Sequence, residues 1–170
     1  MVFFKKRVGT LETKKLVQKT VNLVISELSN STGISSSYLK YARAAVGKGS
    51  DNTATTSNFY SSGSGTTGHV TYKFDTSEIP QDAQNISVSC SAKGGRESAS
   101  QGKTDATVYV SSSKRGSTIY YTATASSVKT IDVGTVTRAE LDTLYLQVDV
   151  GYYGGHIDGA TLTVTYEVYE

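Results

Sequence analysis

The chain has 170 residues, a formal net charge of +2 and one cysteine, so it is long enough for a buried core and excludes an internal disulfide. Ser, Thr and Gly dominate its polar positions, Tyr occurs 12 times and Trp is absent, which favours short strands joined by turns over a disordered chain. No apolar run approaches transmembrane length, and residues 1–7 place their charges after their apolar residues. We therefore expect no membrane span, no secretory signal and folding in the cytosol.

Residues 1–30 form a basic segment that carries six Lys or Arg and two Glu. Apolar residues recur there at helical spacing, namely Val17, Val21, Val24, Ile25 and Leu28. Val21, Leu23 and Ile25 also alternate as in a strand, but the length of the segment favours a helix over residues 11–28. We predict an N-terminal anchor, helical or extended, whose apolar face binds a partner together with Phe3 and Phe4.

A Ser/Thr/Gly-rich linker is predicted at residues 31–37, and residues 38–170 are predicted to form one domain. Short apolar or alternating segments indicate strands at residues 38–46, 58–60, 70–74, 86–92, 106–110, 119–123, 128–133, 144–150 and 159–170. The stretch from Thr137 to Glu140 is a capping-box pattern and predicts one short helical turn. The fold class is therefore all-β, an antiparallel two-sheet sandwich of jelly-roll or Greek-key type.

The last strand shows the clearest alternation in the chain. One row consists of Ala160, Leu162, Val164, Tyr166 and Val168, and Thr or other polar residues stand between its members. Such a pattern is typical of an antiparallel strand with one face on a core and the other in water. We expect this row and Cys90, which lies in the apolar row of its own strand, to be buried.

Residues with catalytic or metal-binding chemistry are sparse. His69 and His156 are interpreted as solvated side chains, the first at a strand start and the second in a hairpin loop at residues 151–159. Residues 63–68 match a dinucleotide fingerprint by letters, but a strand follows them where the motif needs a helix. Asp149 is the only acid at a strand centre, so paired carboxylates for glycoside hydrolysis are not indicated. We predict no enzyme activity, no metal and no cofactor.

Two exposed surfaces could bind a partner. Tyr152 and Tyr153 occupy a Gly-rich loop and, with Tyr60 and the pair Tyr120 and Tyr121, could form an aromatic ligand-binding surface. The basic charges of residues 1–30 could contact nucleic acid, but a solvated helix face is the favoured interpretation.

Three motifs resemble a known family. The first runs from Phe74 to Pro80, the second is the Thr137–Leu141 turn, and the third is the closing strand, with the matching residues Phe74, Asp75, Ser77, Ile79, Pro80, Thr137, Arg138, Glu140, Leu141, Gly159, Ala160, Leu162, Val164 and Tyr166. Over about residues 38–170 the chain resembles the small β-sandwich domain of minor virion structural proteins of tailed phages and prophages of Gram-positive bacteria. The resemblance implies a jelly-roll-like module and implies no catalytic residues.

From the resemblance and the basic segment we expect a non-enzymatic virion protein, such as a head fibre, a decoration or a tail component. Residues 1–30 would attach it to capsid, portal or tail proteins, and a homo-oligomer is expected because such parts are usually symmetric. The alternative is a receptor- or glycan-binding module of a tail fibre or baseplate, which would bind a host cell-surface glycan through Tyr152 and Tyr153.

Overall fold

The computed structural model describes residue 9, residues 12–121 and residues 123–170, with the backbone alone for residues 116–120. Phe3 and Phe4 of the predicted anchor lie outside these residues. The described elements are, in chain order, β1 (Leu16–Thr32), a 3₁₀ turn (Ser36–Tyr38), α1 (Leu39–Arg43), β2 (Gly68–Phe74), β3 (Gln84–Arg96), β4 (Thr104–Val110), β5 (Ser113–Tyr120), β6 (Ser127–Val136), α2 (Arg138–Thr143), β7 (Tyr145–Val150) and β8 (Gly155–Tyr169). None of the described helices is long and apolar enough to cross a membrane.

The predicted all-β class is confirmed, and the strands form one antiparallel sheet in the order β5-β4-β7-β2-β1-β8-β3-β6. The two outer strands, β5 and β6, come into contact, so the sheet is nearly closed into a barrel. The Arg115 guanidinium of β5 donates to the Thr135 carbonyl of β6 at 3.2 Å. Closure of this kind leaves little exposed strand edge for other chains to pair with.

The predicted helix at residues 11–28 is wrong, because the chain from Leu16 onward is β1. Residues 16–24 pair with β8 and residues 25–32 pair with β2, and bulges between Ile25 and Glu27 and between Leu28 and Asn30 bend the second half of the strand. β1 therefore lies inside the sheet, and it crosses the predicted boundary between the anchor and the linker. The sequence of this segment fits both a helical and a strand periodicity. Pairing with β2 and β8, which lie far along the chain, selects the strand.

The predicted anchor residues do not form an unpartnered apolar face. Val21 and Leu28 pack against this chain's own core. Val17 is half-buried, while Val24 remains 42% exposed. The buried residues of β1 are Leu23 and Ile25, and both belong to the alternating set of Val21, Leu23 and Ile25.

Predicted elements at residues 38–46 and 151–159 also differ from the structure, and residues 58–60 hold a single β-bridge at Phe59 in place of the predicted strand. Residues 38–46, predicted as a strand, contain the end of the 3₁₀ turn and α1. The Tyr72 hydroxyl, buried in the core, donates to the Ala42 carbonyl at 2.7 Å and so fastens α1 to the sheet. Residues 151–159, predicted as a hairpin loop, contribute their second half to β8, which begins at Gly155.

The core lies inside the sheet and is built from the inward rows of the strands. The predicted row of β8 from Ala160 to Val168 is buried, as is Cys90. Burial raises the pKa of the Cys90 thiol to about 12, so the thiol stays protonated and chemically inert at neutral pH.

The predicted capping box is present, and it joins two of the sequence motifs. The Thr137 hydroxyl accepts from the Glu140 backbone N–H, and the Glu140 carboxylate accepts from the Thr137 N–H. Next to this cap, the Arg138 side chain is nearly buried and donates to the carbonyls of Thr76, Ile79 and Pro80. Arg138 thus holds the turn before Pro80 against α2, which gives both motifs a structural role.

We expect Ile25→Ala to lower the free energy of unfolding by about 2–5 kcal/mol, because it opens a cavity in the core. The matched change Val24→Ala, one residue earlier on the exposed face, should cost less than about 1 kcal/mol. Urea denaturation of both variants measures the difference. Equal costs, or a larger cost at Val24, would contradict the strand assignment of this segment.

Candidate functional site

Two adjoining clefts lie where the chain between β1 and β2 meets the ends of β3 and β8. The larger, of about 480 Å³, is called here the polar cleft; its lining residues are Tyr38, Tyr41, Thr55, Thr56, Ser57, Asn58, Tyr60, Arg96, Glu97, Thr124 and His156. The second, of about 360 Å³, is called the tyrosine cleft; it is lined by Ser35, Tyr38, Tyr60, Ser61, Ser62, Glu97, Tyr152 and Tyr153. They share Tyr38, Tyr60 and Glu97, so one ligand could span both.

Contacts between their rings position the shared tyrosines, and a glycine leaves room for one of them. The ring centroids of Tyr38 and Tyr60 are 4.7 Å apart, and those of Tyr38 and Tyr41 are 6.1 Å apart. The Tyr60 ring lies over Gly154, where an added Cβ would come within 2.6 Å of the ring and where φ is +75°. Any other residue at position 154 would be strained and would displace Tyr60.

Backbone hydrogen bonds fix the segment that carries Tyr60. Phe59 and Gly155 exchange both N–H···O bonds, at 2.8 and 3.1 Å. The Ser62 N–H donates to the Gly33 carbonyl at 2.8 Å. The walls of both clefts are thereby tied to β8 and to the end of β1, as a preformed binding site requires.

Tyr152 and Tyr153 form the open side of the tyrosine cleft. Their rings meet edge to face with centroids 5.4 Å apart, and each side chain is 50% exposed. Aromatic side chains left half in water at the mouth of a cleft are typical of contact surfaces.

The charged groups of the clefts are Arg96 and Glu97. The Tyr60 hydroxyl donates to Glu97 Oε1 at 3.1 Å. The pKa of Tyr60 is raised, mainly by burial and secondly by the hydrogen bond to the Glu97 carboxylate. Arg96 donates through Nη2 to the Ala99 carbonyl, while its buried Nε has no hydrogen-bond partner among the described residues. Glu97 forms no ion pair with any residue that the structure describes.

A buried polar network forms the floor of the polar cleft. His156 Nδ1 lies 2.9 Å from the Asn58 side-chain amide, and Nε2 lies 3.0 Å from Ser126 Oγ. The Ser126 hydroxyl donates to Asp158 Oδ2, and Asp158 Oδ1 accepts from the Thr56 backbone N–H at 2.7 Å. Asp158 is fully buried, and these donors compensate the loss of water around its carboxylate.

His156 is thus a buried side chain of β8, and its predicted solvated state is wrong. The fold makes room for it at Gly95, where a Cβ would stand 2.7 Å from the imidazole ring. Burial lowers the pKa of His156, against the opposing charge of Asp158, so the ring is neutral near neutral pH. Consecutive glycines at positions 94 and 95 opposite His156 are the sequence signal of this close approach.

Ser126, His156 and Asn58 stand in the spatial order of nucleophile, base and orienting group. The single hydroxyl proton of Ser126 is given to Asp158, however, and not to His156. Ser126 Oγ therefore does not donate to His156 Nε2, so the imidazole does not act as a base toward the serine. No group of three or more His, Cys, Asp or Glu side chains in the described part of the chain could hold a metal ion.

The structure brings together part of the predicted aromatic surface. Tyr152, Tyr153 and Tyr60 line the tyrosine cleft, whereas Tyr121 is 2% exposed and belongs to the core. The cleft residues that the sequence analysis did not single out are Tyr38, Tyr41, Asn58, Arg96 and Glu97. They come from separate segments whose proximity depends on the strand order.

Comparison with known proteins identifies no family. No family model and no curated protein matches the sequence. Among solved structures, the chain is similar to the Stig cyclase Fisc from Fischerella sp. TAU, in complex with (3Z)-3-(1-methyl-2-pyrrolidinylidene)-3H-indole. The identity is 7%, the TM-score is 0.41, and the alignment covers 96% of this chain and 81% of the cyclase. A likeness of this size assigns no activity to this chain.

The predicted function as a phage virion structural protein is contradicted. The solved structure to which the chain is similar is a cyclase, not a virion protein. The segment predicted to attach the domain to a particle is, from Leu16 onward, a strand whose first half pairs with β8 and whose second half pairs with β2. The resemblance to the virion family, the virion location and the virion partners are untested and stay predictions from sequence.

We expect the free energy of unfolding to fall as the pH drops below 6.5, the value at which His156 titrates in the unfolded chain. Its folded pKa is lowered, so the unfolded chain binds the proton more readily, and acid favours unfolding until the folded group also titrates. Urea denaturation over this range checks the slope, and His156→Gln should remove that part of it. His69→Gln is the control and should leave it in place. An identical slope in wild type and His156→Gln would contradict the assignment.

Proposed function

We propose that this chain is a ligand-binding domain without catalytic activity, and that its two clefts take a hydroxyl-rich ligand such as a short oligosaccharide. The observation that carries the proposal is the joining of five tyrosines with hydroxyl and amide side chains around one continuous opening. Tyrosine faces suit the apolar C–H faces of a sugar ring, and hydroxyls and amides can both donate to and accept from its hydroxyl groups.

The charge content of the clefts supports binding over glycoside hydrolysis. Hydrolysis of a glycosidic bond requires two carboxyl groups that face each other across the scissile bond. Among the described lining residues Glu97 is the one carboxylate. Asp158 lies beneath the polar cleft, fully buried, and its oxygens are occupied by Thr56 and Ser126.

We also propose that the sheet folds into two facing layers of jelly-roll or Greek-key type. This arrangement is supported by β1, which pairs with β8 through its first half and with β2 through its second. In that arrangement the clefts open at the rim of the sandwich, where loops are free to vary.

We expect Tyr152→Ala and Tyr153→Ala each to weaken binding of a matching neutral oligosaccharide by about three- to tenfold, the loss of one aromatic contact. Isothermal titration against a panel of neutral tetrasaccharides measures the affinity. Tyr169→Ala, which removes an equally exposed tyrosine at the end of β8, should leave it unchanged. The proposal fails if no sugar of the panel binds, or if all three variants bind alike.

We expect a fluorophosphonate probe to leave Ser126 unlabelled, because the serine proton is committed to Asp158 and not to His156. Mass spectrometry of the treated protein detects the adduct directly. Hydrolysis of p-nitrophenyl acetate should be the same in wild type and Ser126→Ala. Labelling of Ser126 that is lost in His156→Gln would instead indicate a working nucleophile and contradict the binding-only proposal.

A further inference from the structure

We infer that the ligand of the tyrosine cleft carries a protonated amine, and that its class is an amino-sugar oligomer with free amino groups. This inference rests on the proposed saccharide binding and adds a charge to the ligand. It comes from the distribution of charge and aromatic surface within the two clefts.

The tyrosine cleft combines aromatic surface with one negative charge. Its described lining consists of four tyrosines, three serines and Glu97, with no Lys, Arg or His among them. The cationic side chain of the site, Arg96, lines the polar cleft and donates to the Ala99 carbonyl. The side of the site formed by Tyr152 and Tyr153 is therefore anionic.

Glu97 retains capacity to bind a cation. Its Oε1 accepts from the Tyr60 hydroxyl, and its side chain forms no ion pair with any described residue. A carboxylate accepts several hydrogen bonds, so the Tyr60 contact orients the group without saturating it. An ammonium group in the cleft can therefore pair with this carboxylate.

The tyrosines add a second attraction for the same group. A cation within about 6 Å of an aromatic ring is attracted by the negative ring face, and cages of several rings recognise ammonium groups by this means. The Tyr38 and Tyr60 rings, tilted by 60° to each other, and the Tyr152–Tyr153 pair line the cleft beside Glu97. Ser35, Ser61 and Ser62 supply hydroxyls for the rest of a sugar ring.

The test uses three β-1,4-linked tetrasaccharides that differ at C2 alone: a free amine, an N-acetylated amine and a hydroxyl. Titrated into the full chain under mildly acidic conditions, where an alkyl amine is protonated, the free-amine form should bind about three- to tenfold more tightly than either neutral form. Added salt should reduce this preference, since part of the attraction is between charges in contact with water.

Glu97→Gln should abolish the preference, so that the free-amine and the neutral tetrasaccharides bind this variant with equal affinity. The matched control Glu27→Gln removes an exposed carboxylate from β1 and should preserve the preference. The inference is overturned if neutral and amine forms bind the wild type alike, or if Glu97→Gln keeps the preference. If none of the three sugars binds, the proposed saccharide function itself fails.

Discussion

The structure depends on β1 pairing with two strands at once. Strands β2, β7, β4 and β5 follow on one side of it, and β8, β3 and β6 follow on the other. Without β1 these two groups would share no hydrogen-bonded strand, and each would present an open edge. The bulges after Ile25 allow one strand to serve both groups, because they turn it partway along its length.

The pairing of β1 with β2 and β8 also positions the segments that form the clefts. The segment after β1 crosses to the start of β8, where Phe59 pairs with Gly155, and this contact places Tyr60 beside Tyr38 and Glu97. Below them, the network around Asp158 joins β8 to residues 56 and 126. A rigid floor of this kind in the polar cleft would lower the entropic cost of binding a ligand there.

Much of the sheet could be predicted from alternation alone, as in the row from Ala160 to Val168, and the capping box fixed the position of α2. The segment containing Val21, Val24 and Ile25 satisfied a helical and a strand period together. Only β2 and β8, distant in sequence, decide between them. The candidate site was visible through Tyr152 and Tyr153, because a Gly-rich loop exposes them. Tyr38 and Glu97 carry no local signal, and His156 was misread because the glycines near it suggested a loop where they permit close packing.

Because the protein has no tryptophan, its intrinsic fluorescence comes mainly from tyrosines, several of which are clustered around the clefts. Five of the 12 tyrosines surround the joined clefts, so a large share of the fluorescent side chains lies beside the proposed ligand site. With no indole to absorb that emission by energy transfer, occupancy of the clefts can be followed through tyrosine fluorescence without attaching a dye.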